Sequence, residues 1–363
     1  LSAFKGCGLI SEVAEQPPTT VSAEAAILAS PGGEEQQTGL ATTLKNRTNV
    51  IVFVTNNRYG QAVAMSIQSL RQDGGYRGDV AVIVQEDAKS RFTVESLQND
   101  ILQKGGSLEN ITFFSTTKLW DDLELSKEHD HFRSAPPAPK CLSAHRAQGH
   151  PSYYLKTLIF HPNIADRWDT VMYMDSCMTF ESPHVPEILE MSEIQGHLIA
   201  SPDPWVFGYK MLSGRTVSCV NETALQLAQQ YVGQDLGTSS YFTTGLVLYD
   251  SQTLVRSYGE SSKASILELL QVYHELASVF EGDQLIMSVY WHYIRQAYQI
   301  IPYALFGSPR VPYEFIKRMP NEEYIVSAGN SDRPVCKRRP SWEYETGKKV
   351  RSIPIEAQSQ QRG

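Results

Sequence analysis

At 363 residues, 41% hydrophobic and 20% charged, the chain is long enough to bury one large α/β core or one and a half ordinary ones. Its net charge of −8 and pI near 5.6 give no support for nucleic-acid binding, and no run approaches the roughly 20 apolar residues that cross a bilayer. Five cysteines (Cys7, Cys141, Cys177, Cys219 and Cys336) are too few, and odd in number, for a disulfide scaffold, leaving room for one or two bridges and at least one thiol.

Residues 1–45 are rich in Ala, Ser, Thr, Glu, Pro and Gly without a sustained period, and read as a stem or linker. Leu1 in place of Met reads as the loss of a signal peptide or membrane anchor, the one membrane connection expected. Beyond it, residues 46–330 read as one domain. The apolar run 50–55 predicts a strand ending in Asn56-Asn57, and Val63, Ile67 and Leu70 predict a helix over 61–72. A strand over 79–85, a helix over 92–104 closed by Gly105-Gly106, and a strand over 111–115 continue an alternation that argues for parallel strands with helical crossovers.

Residues 121–151 form a polar, Pro-containing insertion that reads as too irregular for a core element. A helix over 153–160 breaks at His161-Pro162. A strand over 171–175 then delivers Asp175 at its carboxyl end, where ligands of open α/β sheets collect. Further helices are expected over 184–192, 220–234, 262–280 and 283–298, and strands over 197–201 and 241–249. The tail, 331–363, carries Lys337-Arg-Arg339 and Lys348-Lys-Val-Arg351 and reads as a solvated, disordered basic end. Acceptor sequons at Asn46, Asn110 and Asn221 lean toward a secretory-pathway lumen, with a helix N-cap as the equal alternative at Asn221.

Several loose motifs stand in order: Val54-Thr-Asn-Asn57, Tyr154-Leu-Lys156, Tyr173-Met-Asp175, Ala200-Ser-Pro-Asp203, Tyr241-Phe-Thr-Thr-Gly-Leu246 and Gly282-Asp-Gln284. Over about residues 49–312 the chain thereby resembles the GT-A glycosyltransferases, nearest the glycogenin-like and galactosyltransferase-like enzymes of the family 8 type. The resemblance implies an α/β fold with a single Rossmann-like, mostly parallel central sheet and a small additional antiparallel element. It also implies a nucleotide-sugar donor, expected to be a UDP-sugar, retention of configuration at the transferred hexose or pentose, and a Golgi setting. The acceptor, whether glycan, protein or lipid, stays open.

By the same resemblance Thr55, Asn56 and Asn57 hold the base and ribose, although Asn56-Asn57 also suits a plain turn. Lys156 sits near the phosphates, and Thr244 and Gly245 lie where backbone approaches the sugar. Asp203, Asp283 and Gln284 flank the reacting centre. Asp203 equally suits a turn, and Asp283 a helix N-cap. Where the family has Asp-x-Asp to grip Mn²⁺ or Mg²⁺, this chain has Asp175-Ser176-Cys177, and thiolate is a poor ligand for a hard ion. Cys177 has no neighbouring base and reads as a site-lining residue. The family's late His-x-x-Gly-x-x-Lys aligns with Ala304-Leu-Phe-Gly307-Ser-Pro-Arg310, keeping Gly307 and a cation, Arg310, and losing the His. Three outcomes stay open: a metal recruited through Asp175, diphosphate neutralised by Lys156 and Arg310 without metal, or a catalytically inactive domain that keeps only nucleotide or glycan binding. Trp205, Tyr209, Trp291 and Tyr293 read either as sugar platforms or as core.

Overall fold

The computed structural model describes residues 48–138, 144–176, 178–180, 185–190, 194–202, 221–239, 241–251, 261–280 and 282–300, with short strand segments at Phe306–Gly307 and Val326–Ala328. In chain order these are β1 (Asn49–Thr55), α1 (Gly60–Gln72), β2 (Asp79–Val84), α2 (Val94–Gln103), β3 (Ile111–Ser115), α3 (Thr116–Asp122), α4 (Ala144–Tyr154), α5 (Pro162–Ala165), β4 (Thr170–Met174), β5 (Met178–Phe180), α6 (Val185–Leu189), β6 (Leu198–Pro202), α7 (Glu222–Val232), β7 (Phe242–Asp250), α8 (Ser262–Leu276), α9 (Asp283–Ser288) and β8 (Tyr298–Ile300). Two short strands follow, β9 (Phe306–Gly307) and β10 (Val326–Ala328). Tight 3₁₀ turns lie at Asp130–Arg133 and Leu155–Phe160, the latter continuing α4.

A seven-stranded sheet runs in the order β3-β2-β1-β4-β7-β6-β8. It is parallel apart from β7, which runs against both β4 and β6. A second sheet, β5-β10-β9, pairs β5 and β10 antiparallel. The α/β architecture with a mostly parallel sheet and a small antiparallel element is thus as the sequence reads.

The middles of the central strands are apolar on both sides because both faces of the sheet are covered. Val50, Val52, Val54, Val171, Tyr173, Val247 and Tyr249 enter one core cluster, while Ile51, Phe53, Met172, Met174, Leu246 and Leu248 enter the other. Successive side chains of a strand point to opposite faces. Asp175 therefore follows the parity of Val171 and Tyr173, toward the face covered by α4, α8 and α9, and Ser176 follows the opposite parity toward α1.

Helix ends follow local chemistry. Thr93 and Ser96 form a reciprocal capping box on α2. Asn221 caps α7, its Oδ1 accepting from the amides of Thr223 and Ala224, so the cap reading of that residue holds. At the His161-Pro162 break, the His161 Nδ1 accepts from the Asn163 amide and its Nε2–H donates to the Leu119 carbonyl, tying α5 to α3.

Two expectations need correction. The helix read to Tyr298 ends earlier: a π-helical turn at Val289–Ile294 follows α9, Gln296 takes φ 52°, and Tyr298 opens the edge strand β8. The insertion is neither irregular throughout nor wholly outside the core, since α4 begins within it at Ala144 and Leu123 and Phe132 are buried. The Phe132 carbonyl accepts from the Tyr154 hydroxyl at 2.8 Å, and the same hydroxyl lies 3.0 Å from His274 Nε2 on α8. Hydrophobic spacing within 121–151 is too sparse to reveal an anchor that rests on one phenylalanine.

Burial, and then the neighbouring His131, push His274 down to about 4. Between that value and the ordinary 6.5 the unfolded chain binds a proton that the folded chain does not. Stability is therefore expected to fall as pH drops through this window. Thermal melts across it should show that acid limb flattened by His274→Gln, and an unchanged slope would remove His274 as its source.

Candidate active site

Four elements deliver polar groups to one edge of the sheet, the carboxyl edge of β1, β2 and β4. The 3₁₀ extension of α4 supplies Lys156, the end of β4 supplies Asp175, the start of the reversed strand β7 supplies Thr244, and the first residue of α9 supplies Asp283. Lys156 Nζ lies 3.0 Å from Asp175 Oδ1 and 3.0 Å from Asp283 Oδ2. It stands 3.4 Å from Thr244 Oγ1, whose hydroxyl donates to Asp283 Oδ2. Tyr173, two residues before Asp175 on the same side of the strand, donates its hydroxyl to Asp175 Oδ1 at 2.8 Å. Asp175 is further fixed by its amide, which donates to the Gly245 carbonyl across the β4–β7 pair.

The network is largely buried. Side-chain exposure is 6% for Asp283, 12% for Lys156 and 27% for Asp175, the most open of the three. Burial alone would lower the Lys156 pKa, but Asp175 and then Asp283 more than reverse it and hold the ammonium well above its ordinary range. Burial, and then Asp175, push the Tyr173 phenol well above its usual value, so it stays protonated and donates.

The first strand-to-helix turn adjoins this network through α4. Asn56 Nδ2 donates to Ser152 Oγ at 2.7 Å, one helical turn before Lys156, and Asn56 Oδ1 accepts from the Arg58 amide. Asn57 donates to Asp87 Oδ2 on the loop after β2. Thr55 is buried and its hydroxyl donates back to the Asn56 carbonyl. Gln284 is half-buried, and its backbone carbonyl accepts from the Ser288 hydroxyl. Asp203, Cys177 and Arg310 lie outside the described residues.

Ser176 turns to the other face: its hydroxyl donates to the Val54 carbonyl, and its own carbonyl accepts from Ser66. It serves β1 and α1 and offers nothing to the Lys156 side. This bears on the metal expectation. A hard divalent ion wants several oxygen ligands. Here Asp175 Oδ1 and Asp283 Oδ2 already accept from the same ammonium and each from one hydroxyl, and among the described residues no group of three His, Cys, Asp or Glu side chains could hold a metal ion. The described residues do not fit a resident Mn²⁺ or Mg²⁺; Cys177 lies outside them, and Asp175 as a metal ligand stays the expectation that the sequence gives.

Sequence reasoning missed three groups. Ser152 and Tyr173 become visible only when strand parity and the α4 path are known. Tyr273 of α8 is buried, with no hydrogen-bond partner for its hydroxyl among the described residues, and it feels the charges of Asp283 and Lys156. Its helical spacing marks it as core and gives no hint of that neighbourhood. Trp291 is core, with 3% exposure, and Tyr293 is half-buried. Trp205 and Tyr209 lie outside the described residues.

Gly282 aims Asp283. It takes φ 83° and ψ −170°, open to glycine and strained for any residue with a Cβ, and a Cβ there would also stand 3.5 Å from Tyr153. Gly282→Ala should therefore cost about 1–3 kcal/mol in urea unfolding. A loss below the error of that measurement would mean the turn relaxes freely.

Neither a protein-family model nor a curated protein sequence matches this chain. Among solved structures it is similar to the galactosyltransferase LgtC bound to donor and acceptor sugar analogues, at 15% identity and a TM-score of 0.47, covering 85% of this chain and 99% of that one. It is similar to mouse xyloside xylosyltransferase 1, at 11% identity and a TM-score of 0.45, covering 79% and 99%. It is also similar to the bifunctional glycosyltransferase WbbM, at 12% identity and a TM-score of 0.47; the match covers 78% of this chain and only 46% of WbbM.

Proposed function

We propose that this chain is a GT-A glycosyltransferase that moves a sugar from a nucleotide diphosphate, a UDP-sugar by the resemblance of its motifs, to an acceptor hydroxyl. The observation that carries the reading is the convergence of Lys156, Asp175, Thr244 and Asp283 on one buried network at the carboxyl edge of the sheet, beside the Asn56 turn. Four sequence-distant motifs singled out for donor handling meet there, and ligands of open α/β sheets collect at that edge.

The chemistry fits those groups. The bond from the sugar C1 to the diphosphate oxygen breaks with its electron pair leaving on oxygen. The acceptor oxygen bonds to C1, and the acceptor's proton is released. C1 passes through an oxocarbenium-like state, so negative charge near the sugar and positive charge near the diphosphate both lower the barrier. Asp283 is assigned the first task, with Gln284 and Asp203 beside it, and Lys156 the second, with Arg310. Asn56 and Asn57 hold the base and ribose, and Thr55, Thr244 and Gly245 line the donor path. Residues 46–330 are taken as the domain that does this. The exposed Asn110 of an acceptor sequon supports a secretory-pathway setting, and no helix of the described residues is long and apolar enough to cross a membrane.

Donor hydrolysis and transfer assays over the common nucleotide sugars, with and without Mn²⁺, test the reading; no turnover with any of them counts against it. A second reading, a domain that binds nucleotide without transfer, draws on the lack of a second carboxylate in Asp175-Ser176-Cys177. UDP binding by calorimetry without turnover would favour it. Under the transferase reading Asn56→Ala should raise the donor KM by roughly 2–10-fold with kcat little changed, the loss of one hydrogen bond worth ~0.5–1.5 kcal/mol. Unchanged kinetics would detach the Asn56 turn from the donor.

A further inference from the structure

We propose that Lys156 is the resident cation of this site: its ammonium bridges Asp175 and Asp283 and so takes up the carboxylate that a divalent ion would need, and the chain handles a diphosphate without metal. The inference rests on the donor site proposed above and specifies how that site meets negative charge.

Three observations carry it. Nζ is equidistant, 3.0 Å, from one oxygen of each carboxylate, so a single ammonium already does the bridging. Each of those oxygens also accepts a hydroxyl hydrogen bond, Asp175 Oδ1 from Tyr173 and Asp283 Oδ2 from Thr244. One oxygen of each carboxylate therefore already holds two donors, the shared ammonium and a hydroxyl. A metal would have to displace the ammonium and leave a largely buried lysine without counter-ions, which is costly. Finally, Ser176, the middle residue of the triplet, turns away: its Oγ is committed to the Val54 carbonyl on the opposite face of the strand, so it brings no oxygen to the Lys156 side.

Lysine suits the task in a further respect. An ammonium has three N–H donors. Two are spent on the carboxylates, and the third faces Thr244 at 3.4 Å, a long contact beside a hydroxyl that already donates to Asp283. That N–H is the one available to turn toward a phosphate oxygen while the two carboxylates keep the nitrogen in place. Asp175 and Tyr173 are thereby positioning residues for Lys156.

The test is Mn²⁺ uptake by calorimetry and electron paramagnetic resonance on the wild-type chain, Lys156→Ala and Asp175→Asn, with no nucleotide present. The wild type should take up no Mn²⁺ at millimolar concentration. Lys156→Ala should take it up and melt at a higher temperature in its presence, because the Asp175 and Asp283 carboxylates are released. Uptake by the wild type that Asp175→Asn abolishes would overturn the inference, as would a folded Lys156→Ala protein that ignores Mn²⁺. Should Lys156→Ala fail to fold, the comparison of wild type with Asp175→Asn still decides. In the transfer assay, wild-type turnover should be unchanged by EDTA. Turnover that requires Mn²⁺ overturns this inference and leaves the transferase reading standing, whereas absence of all turnover sinks that reading and leaves the Mn²⁺ uptake to decide this one.

Discussion

Lys156→Met should destabilise the chain by about 3–5 kcal/mol, the usual cost of removing one partner from a buried ion pair and leaving the other charge uncompensated. Methionine keeps the length and apolar stem of lysine, so packing changes little and the effect reports on charge. Asp175 and Asp283 would then face one another without the ammonium that now stands 3.0 Å from each. Asp175, 27% exposed, can recover some hydration, which pulls the cost toward the lower end of the range. Asp283 is almost fully enclosed and cannot. Adding Asp283→Asn to Lys156→Met should therefore restore a large part of the loss, giving a strongly non-additive double-mutant cycle. Urea unfolding of the four proteins measures it, and additive effects of the two substitutions would show that the network is screened by solvent after all.

Asp283→Asn alone should lower kcat by about 10²–10³-fold, the range for removing one preorganised electrostatic group from a transition state. Asparagine keeps the shape, can still accept from Lys156 and Thr244, and leaves the Gly282 turn untouched, so the fold and donor binding should be retained. The loss would appear in kcat with KM for the nucleotide sugar little altered, because a negative charge near C1 is needed when positive charge develops there and not before. A variant with near-normal kcat would move the reacting centre away from Asp283 and turn attention to Asp203. A matched fall in thermal stability and activity would reduce Asp283 to a support for Lys156.

Much of the fold was legible because its signals are local. The run Val50-Ile-Val-Phe-Val-Thr55 has no polar alternation, and a strand buried on both faces needs none. The cap of α7 uses Asn221, a residue whose side chain satisfies backbone amides whatever the rest of the chain does. The placement of Asp175 at a strand end was legible in the same way, from a hydrophobic run that stops at a carboxylate. What failed was also local in cause: the π-helical turn after Ser288 continues the helical spacing of apolar residues past the point where the helix has ended, and Phe132 anchors the insertion without any periodic neighbours.

The sequence by itself therefore determined most of the central strands and their flanking helices, and that Asp175 and Asp283 stand where a strand ends and a helix begins. Only the tertiary structure decided that they meet. The direction of β7 is the deciding step, because an apolar strand such as Phe242–Asp250 reads the same from either end, and running it against β4 brings Thr244 to the Asp175 edge when a parallel course would have carried it to the opposite one. Lysine between two carboxylates is likewise a property of the assembly: residues 156, 175 and 283 share no spacing that a helix or strand imposes, and their charges become coupled only when packing of α4 and α9 over the sheet removes the water that would otherwise separate them.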